Sequence, residues 1–332
     1  MFHSSSVTKP SIIMKHVAIV GLLLAVVGVS YALNAHDRIL KANQDAREEE
    51  LAFGFSEQPP LIEGDIVDDV ATRQQIDAEA YGIASTFDAI AGRRKWENGV
   101  VPYVYGSVGS KAISAIEAAF RDYHAKTCLK FVKRTNQRDY IIFNAKGGCY
   151  SHIGRQGGQQ EVSIGRGCEY KATTIHEIMH AIGFYHEQSR RDRDNYITVN
   201  FNNIVKGMEY NFNKYRQGEA STLGEPYDKK SVMHYAKYAF SKQWGKLQTI
   251  VSKSNPSEEL GNEVGFSSID LRQINKYYSC NGGGGGGPNP PVTQAPQPGS
   301  CSDRSENCRW NLSKCNYKGY GQYWCRKSCG FC

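Results

Sequence analysis

The sequence predicts an α+β protein with a small cysteine-rich module at its carboxyl end. Between about residues 96 and 280, strand-like runs of β-branched and aromatic residues alternate with segments of helical periodicity. One of the helical segments carries histidines at the spacing of a metal site. Six of the ten cysteines lie between residues 301 and 332, a stretch too short to build a hydrophobic core of its own.

The predicted strands are short. Val100–Tyr105 is the first of them, and Pro102 within it favours a position at the edge of a sheet, because proline has no N–H to donate to a neighbouring strand. Further strands are predicted at Leu129–Val132, Tyr140–Phe143 and Gln159–Ile164.

Three helices are predicted in the same region. Ser110 can cap a helix that runs to about Lys126, with an apolar face formed by Ile113, Ile116, Phe120 and Tyr123. A second helix is predicted at Lys171–Phe184. Ser267 and Asp270 form a capping box for the last helix, in which the residues expected to face the core are Leu271 and Ile274.

The second helix carries the pattern that most directly indicates function. His176 and His180 are one turn apart, so their imidazoles leave the same helix face and can hold one Zn²⁺. Glu177 lies beside the first of them, where it can take a proton from a water molecule at the metal. Gly183 can adopt a positive φ and end the helix, so that the chain returns His186 as a third ligand. A lone His-x-x-x-His pair would more often be a coincidence, and a carboxylate as third ligand would indicate another class of zinc enzyme.

The extended motif is specific to one family. His176-Glu177-x-x-His180-x-x-Gly183-x-x-His186-Glu187 is followed downstream by Ser231-Val232-Met233-His234-Tyr235. Together these segments resemble the astacin family of zinc metalloendopeptidases in the metzincin clan, and the resemblance runs from about Trp96 to Cys280. It implies an α+β catalytic domain of two subdomains with a mixed twisted sheet, a zinc-site helix and one Zn²⁺.

The resemblance also implies roles for individual residues. Glu177 is the general base, Met233 forms the methionine turn beneath the metal, and Tyr235 is a displaceable zinc ligand that stabilises the transition state. Glu187 meets the new amino terminus through water after maturation. The strand at Gln159–Ile164 is the sheet edge with which an extended peptide substrate pairs. The disulfides implied for this domain are Cys128–Cys280 and Cys149–Cys168.

An acidic leader precedes this domain. Residues 33–84 hold twelve Asp and Glu against four Lys and Arg, and Ala42–Phe53 within them is predicted to be helical. Ile62-Glu63-Gly64-Asp65-Ile66 is similar to the astacin propeptide motif, which implies that Asp65 binds the zinc in a zymogen. The alternative is an ordinary Glu-Gly-Asp turn in a solvated leader.

The amino-terminal segment predicts export. An apolar run from Val17 to Leu33 follows Lys15, and Ser30-Tyr31-Ala32 offers small residues for a signal peptidase, so we expect a signal peptide at 1–32 and a secreted, extracellular protein. An uncleaved membrane anchor is the alternative. The propeptide is then 33–86, or extends to 94, because the maturation cut could lie near Ser85 or Phe87 or after Arg93-Arg94. The peptidase domain follows at 87–281.

The carboxyl-terminal region divides into a linker and a module. Residues 282–300 begin with six glycines and continue with prolines, which predicts a linker. Residues 301–332 resemble the ShK-toxin-like (ShKT) domain, which implies the disulfides Cys301–Cys332, Cys308–Cys325 and Cys315–Cys329. Gly319 occupies the position of the lysine on which the channel-blocking toxins rely. Docking of substrate or matrix is therefore favoured over channel modulation, which remains the alternative function. Asn311-Leu312-Ser313 is a glycosylation sequon.

Charge and composition restrict the partners. The net charge of +7 is not accompanied by a nucleic-acid-binding motif, so we expect an extended peptide or protein substrate and no nucleic acid. No stable membrane insertion is expected. Many astacins use an arginine to favour an acidic residue after the cleaved bond, but Glu263 falls at that position here, which puts an acidic preference in doubt.

Overall fold

The computed structural model describes residues 34–53, 58–68, 94–215 and 220–280. Several sequence predictions lie outside these residues, namely the signal peptide, the alternative maturation cut near residues 85–87, the linker, the terminal module with its three disulfides, and Asn311. Of the dibasic pair at 93–94, only Arg94 is described. Among the helices within the described ranges, none has the length and apolar character that a bilayer span requires.

The described part of the leader, residues 34–53 and 58–68, consists of a helix and a small hairpin. Helix α1 spans Ala35–Phe53 and is longer than the predicted segment, because Asn34 Oδ1 accepts a hydrogen bond from Asp37 N and caps its first turn. Strands β1 (Leu61–Ile62) and β2 (Ile66–Val67) pair antiparallel. Gly64 is required in their turn, because its φ is +88° and a Cβ there would lie 2.7 Å from a leucine side chain of α1.

The hairpin belongs to a seven-stranded mixed sheet. Its other strands are β3 (Val100–Tyr105), β4 (Lys130–Lys133), β5 (Tyr140–Asn144), β6 (Cys149–Ser151) and β7 (Gln159–Ile164). Their order is β1-β2-β6-β7-β5-β3-β4, and β6 runs antiparallel to β7 whereas the β7-β5-β3-β4 pairs are parallel. Leader and domain therefore share one sheet.

Two predictions of sheet edges are wrong. β3 lies between β5 and β4, and Pro102 is tolerated because pairing with β5 begins only at Tyr103. The strand at Gln159–Ile164 is also internal, paired on one side with β5 and on the other with β6. Sequence could not show this, because the three-residue strand β6 was too short to be recognised. Within the domain β6 is the last strand on that side, and β2 of the leader pairs with it in parallel at Ser151.

The described part of the domain contains three α-helices. Helix α2 spans Ser110–Lys126, but the residue at its N-cap is Gly109, so the predicted cap by the Ser110 side chain is wrong. Helix α3 spans Lys171–Ala181 and is buried along its whole length, apart from its first residue. Helix α4 spans Ser268–Tyr277 and begins with the predicted capping box, in which the Ser267 side chain accepts hydrogen bonds from Ile269 N and Asp270 N. Ile274 is fully buried, and Leu271 is half-buried.

A second small sheet and two disulfides complete the described fold. Strands β8 (Ile197–Val199) and β9 (Ile250–Ser252) pair antiparallel, and their residues belong to a second apolar cluster. The disulfides are Cys128–Cys280 and Cys149–Cys168, with Cα atoms 5.0 and 5.8 Å apart. They are the two pairs that the family resemblance implied. The longer one joins the end of α4 to the segment before β4.

Candidate zinc centre

Helix α3 brings the first two imidazoles together. His176 and His180 are both fully buried, and their Nε2 atoms lie 3.1 Å apart. After the helix, Gly183 has a φ of +111°, and the ring of Tyr277 lies 3.2 Å from where a Cβ would be, so only glycine fits this turn without strain. The turn returns His186, whose Nε2 atom lies 3.1 Å from that of His176.

The spacing of the three Nε2 atoms fits a zinc ion. Zn–N bonds of about 2.0 to 2.1 Å in a tetrahedral site place two nitrogen ligands about 3.3 Å apart. The two separations of 3.1 Å are close to that value. His176, His180, His186 and Asp65 form a group in which one ligand atom from each lies within 4.8 Å of all the others. The arrangement could therefore hold one metal ion.

In the two histidines on α3, His176 and His180, a backbone acceptor fixes the Nδ1 atom of the ring. The Nδ1 atom of His176 donates to Val232 O at 2.7 Å, and that of His180 donates to Phe184 O at 2.7 Å. These bonds place the proton on Nδ1 and leave the Nε2 lone pair free for a metal. Burial lowers the pKa of His180 to about 4, which also favours the neutral ligand form.

The third imidazole depends on the leader. His186 Nδ1 lies 2.8 Å from Glu63 Oε2, so the acceptor that orients this ring comes from the leader turn. The turn also delivers Asp65, whose Oδ2 lies 3.0 Å from His176 Nε2 and whose Oδ1 lies 3.3 Å from His186 Nε2. Asp65 is fully buried, and its charge is placed where the three ring nitrogens converge.

Glu177 is buried beside this centre. Within the described residues neither of its carboxylate oxygens has a partner, which is costly for a buried carboxyl group. Burial raises its pKa well above the usual range, and the nearby charge of Asp65 raises it further. A buried carboxyl group with unused oxygens next to three metal-site imidazoles is poised to exchange protons.

Met233 and Tyr235 belong to the turn that follows Val232, whose carbonyl fixes His176. Met233 is buried in the main core, and its carbonyl accepts a hydrogen bond from Glu187 N, so this turn supports the segment that carries His186. The Tyr235 hydroxyl donates to Glu63 O at 2.6 Å, and its ring stacks on His36 of α1 at 3.8 Å. The leader thus holds Tyr235 at two points.

Glu187 is engaged with its own domain. Its Oε1 atom accepts hydrogen bonds from Arg190 Nη1 at 2.9 Å and from Asp228 N at 2.8 Å. Burial raises its pKa to about 7 despite the adjacent guanidinium. The amino terminus expected to meet it lies outside the described ranges, so this role stays a prediction.

Sequence reasoning missed three leader residues at the site, Glu63, His36 and Asn43. His36 is buried between Tyr235 and the imidazoles, with ring centroids 5.9 Å from His176 and 5.5 Å from His186. A signal was present, because His36, Ile39 and Asn43 follow the helical i, i+3, i+7 spacing of a buried face. The acidic and polar residues on the opposite face of α1 made this spacing hard to recognise.

Three converging imidazoles beside an unpaired glutamate define a metallopeptidase type of site. The family model for the astacin peptidases matches residues 89–279, which is more than half of the chain. The chain therefore belongs to the astacin family, which is a family of zinc metalloendopeptidases.

Individual relatives agree with this assignment. The chain is 48% identical to zinc metalloproteinase nas-4 of Caenorhabditis elegans over 192 residues, which are 57% of this chain and 60% of that protein. It is 45% identical to high choriolytic enzyme 1 of Oryzias latipes over 191 residues, or 56% of this chain and 69% of the relative. The structure of that hatching enzyme zinc-protease matches with a TM-score of 0.53 and 44% identity, over 56% of this chain and 94% of the other. The matched region spans less than two thirds of the length of nas-4.

Proposed function

We propose that this protein is a secreted zinc metalloendopeptidase made as a zymogen, which hydrolyses peptide bonds in extracellular or matrix proteins. The observation that carries the proposal is the convergence of three buried imidazole Nε2 atoms next to the unpaired carboxyl group of Glu177. The ligands of the single Zn²⁺ are His176, His180 and His186. Zinc, when bound, supplies a Lewis acid that polarises the peptide carbonyl and lowers the pKa of a water ligand to roughly 7.

The chain's own groups handle the protons and the charge. Glu177 accepts a proton from the attacking water and passes it to the leaving amine, for which its two oxygens, unpartnered among the described residues, are suited. Tyr235, once its bond to Glu63 O is broken, donates a hydrogen bond to the oxyanion that develops on the scissile carbonyl. Both steps require the leader to leave.

The leader closes the site in two places. Asp65 occupies the point at which the imidazoles converge, so in the zymogen it takes a position that water or substrate needs. Strand β2 pairs with β6, and Ser151 N donates to Asp65 O at 3.0 Å. An extended substrate would use this edge of the sheet. The same leader turn therefore blocks the metal and the peptide-binding strand.

The proposed substrates rest on the names of the relatives, and the proposed role of the terminal module rests on the sequence. Relatives named as choriolytic and hatching enzymes support extracellular coats and matrices as substrates. We assign residues 301–332 to docking of substrate or matrix and not to catalysis. Deletion of residues 282–332 tests this assignment. Cleavage of small peptides should persist, whereas cleavage of an extracellular or matrix protein should fall.

The catalytic proposal is tested by Glu177→Gln in the processed protein. The variant should retain one equivalent of zinc, because none of its imidazole ligands changes, and should lose at least about a thousandfold in kcat/KM for a neutral peptide. Glu97→Gln is the matched control, since Glu97 is 84% exposed. Normal cleavage by Glu177→Gln, or full activity of the wild type in a strong chelator, would contradict the proposal.

A further inference from the structure

Two consecutive tyrosines at the end of α4 cover the turn that follows α3. The Tyr278 hydroxyl donates to Ile182 O at 2.9 Å. The Tyr277 ring lies 3.2 Å from the position that a Cβ of Gly183 would take, and its centroid lies 5.5 Å from that of the Phe184 ring. The tyrosines therefore contact all three residues through which the chain leaves the helix.

The last residue of this turn orients a metal-site imidazole. Phe184 O accepts the hydrogen bond of His180 Nδ1 at 2.7 Å. An acceptor at the second ring nitrogen sets the orientation and the basicity of a histidine that binds a metal through the first. Because the Tyr277 ring packs on Phe184, it can act on His180 through a single intervening residue.

Tyr277 is itself held by Lys95, a residue 182 positions earlier in the chain. Lys95 Nζ donates to Tyr277 O at 2.6 Å and lies 4.2 Å from the centroid of the Tyr277 ring. Tyr277 is the last residue of α4, where an ammonium group also interacts favourably with the partial negative charge of the helix end. Lys95 is half-buried, and a cation–π contact is stronger where water is partly excluded.

The residue after Lys95 caps the end of α3 directly. Trp96 is 2% exposed, and its Nε1 atom donates to Ala181 O at 2.9 Å. Ala181 is the last residue of α3, and a carbonyl in the last turn of a helix has no partner within that helix. Residues 95–96 and the end of α4 thus meet at the same end of α3, and Lys95 joins these two segments to each other.

We propose that Tyr277 is a positioning residue for the zinc ligand His180 and that Lys95 holds Tyr277 in place. The tyrosine ring keeps the turn after α3 in the conformation that presents the Phe184 carbonyl to His180 Nδ1. The inference rests on the proposed ligand role of His180 and adds the residues that orient this ligand. Neither Tyr277 nor Lys95 belongs to the histidine motif or to the methionine turn.

The first test is the zinc affinity of the processed protein, measured by competition with a chromophoric chelator. Tyr277→Leu removes the aromatic ring from the turn, so zinc should bind about tenfold more weakly, as when an outer partner of a histidine ligand is lost. Tyr277→Phe keeps the ring and should bind zinc within about twofold of the wild type. An unchanged zinc affinity of Tyr277→Leu would overturn the inference.

A spectroscopic test separates positioning from a loss of stability. Co²⁺ replaces zinc in the processed protein, and its visible absorption depends on the geometry of its ligands. Tyr277→Leu should change this spectrum. Phe120→Leu is the matched control, because Phe120 is 5% exposed and packs against Phe131 and Phe143 in the core. It should lower the free energy of unfolding and leave the spectrum unchanged. Equal spectral changes in the two variants would contradict positioning by Tyr277.

Lys95 is tested through its partner. Lys95→Met keeps the length of the side chain but removes its charge, so zinc should bind about threefold more weakly, whereas Lys95→Arg should retain most of the affinity. In the Tyr277→Leu background, Lys95→Met should have a smaller effect, because the ring on which it acts is gone. Equal weakening in both backgrounds would show that Lys95 does not act through the Tyr277 ring.

Kinetics and a ligand substitution keep these outcomes distinct from failure of the proposed function. At saturating zinc, Tyr277→Leu should lower kcat for a neutral peptide about tenfold and leave KM within about twofold, since it changes a ligand and not a substrate contact. A raised KM with unchanged kcat would contradict positioning. If His180→Ala bound zinc as tightly as the wild type, the ligand role of His180 itself would be wrong.

Discussion

At the scale of the residue, the three metal-site imidazoles differ in the group that orients them. His176 and His180 donate to backbone carbonyls of the domain itself, but His186 relies on the carboxylate of Glu63 from the leader. Loss of the leader would therefore remove the partner of the Nδ1 atom of His186 and leave those of His176 and His180 unchanged. Outer partners of this kind set the orientation and basicity of a metal ligand, so we expect the leader to affect the proposed metal site through Glu63 as well as through Asp65.

The proposed blocking role of Asp65 predicts the behaviour of the uncut chain. Asp65→Asn replaces a charged ligand oxygen by a weak neutral one, so the leader should hold the site less firmly. We expect the uncut variant to cleave a small neutral peptide at least about tenfold faster than the uncut wild type. Asp45→Asn, on the exposed side of α1 where Asp45 pairs with Lys41, is the control. If neither uncut variant cleaved the peptide faster than the uncut wild type, Asp65 would be dispensable for inhibition.

Asp37 predicts a pH dependence of leader binding. Burial raises its pKa from 3.8 to about 7 in the docked leader. A carboxyl group that holds its proton more tightly when docked contributes binding that is fully present below its free pKa and is lost as the pH rises through about 7. A synthetic peptide of residues 34–68, added as an inhibitor of the processed protein, tests this with and without Asp37→Asn, which should remove the loss. Between pH 5 and 8 the inhibition constant of the wild-type peptide should rise about 10- to 100-fold more than that of the variant peptide.

The comparison between the two peptides isolates Asp37, because every other titrating group is common to both. The inhibition constants are measured on the same processed enzyme at each pH. If both peptides weakened in parallel over this range, the carboxyl group of Asp37 would have an ordinary pKa in the docked leader.

At the scale of the element, α1 hydrogen-bonds to β6 at Cys149, two residues before Ser151, at which β2 pairs with the same strand. Asn43 is only 3% exposed, and its side-chain amide donates to Cys149 O at 2.8 Å and accepts from Cys149 N at 2.6 Å. The same amide donates to Gly64 O at 2.9 Å, which ties the helix to the blocking turn. One side chain thus reproduces the two hydrogen bonds that the backbone of a neighbouring strand would make.

Replacing Asn43 should release the leader from this strand. Asn43→Leu keeps the approximate volume but leaves three buried backbone groups without partners, which costs about 1 to 3 kcal/mol for each unpaired group. We expect faster proteolysis of the leader and at least a roughly tenfold weaker 34–68 peptide as inhibitor. Gln44→Leu, at the exposed neighbouring position, should behave as wild type. If the Asn43 variant of the peptide inhibited as well as the wild-type peptide, the pairing of β2 would by itself be sufficient to block β6.

At the scale of the whole molecule, one disulfide joins segments that are distant in sequence. Cys128–Cys280 spans 152 residues and connects the end of α4 to the strand region, whereas Cys149–Cys168 spans 19. Asp270 of α4 also accepts from Ser231 Oγ and Val232 N, and Val232 O in turn fixes His176. The position of the last helix is therefore coupled to the metal site.

The long disulfide predicts a large contribution to stability. Loop closure over about 150 residues corresponds to about 5 kcal/mol of denatured-state entropy. The double substitution Cys128→Ser with Cys280→Ser should lower the free energy of unfolding by about 4 to 5 kcal/mol, measured by urea denaturation of the uncut chain. A loss below about 1 kcal/mol would show that the packing of α4 holds this end of the domain without the covalent link.

The sequence by itself determined the features that depend on near neighbours along the chain. The histidine spacing on α3, the glycine that ends its turn and the capping box of α4 were all readable, since each is a local rule of helix geometry. Three features were not readable: the pairing of β6 with the leader, the acceptor that Glu63 offers to His186, and the hydrogen bonds of Asn43 with Cys149. These depend on which distant segments meet, and for two- and three-residue strands no local pattern is strong enough to specify a partner; only the tertiary structure decided them.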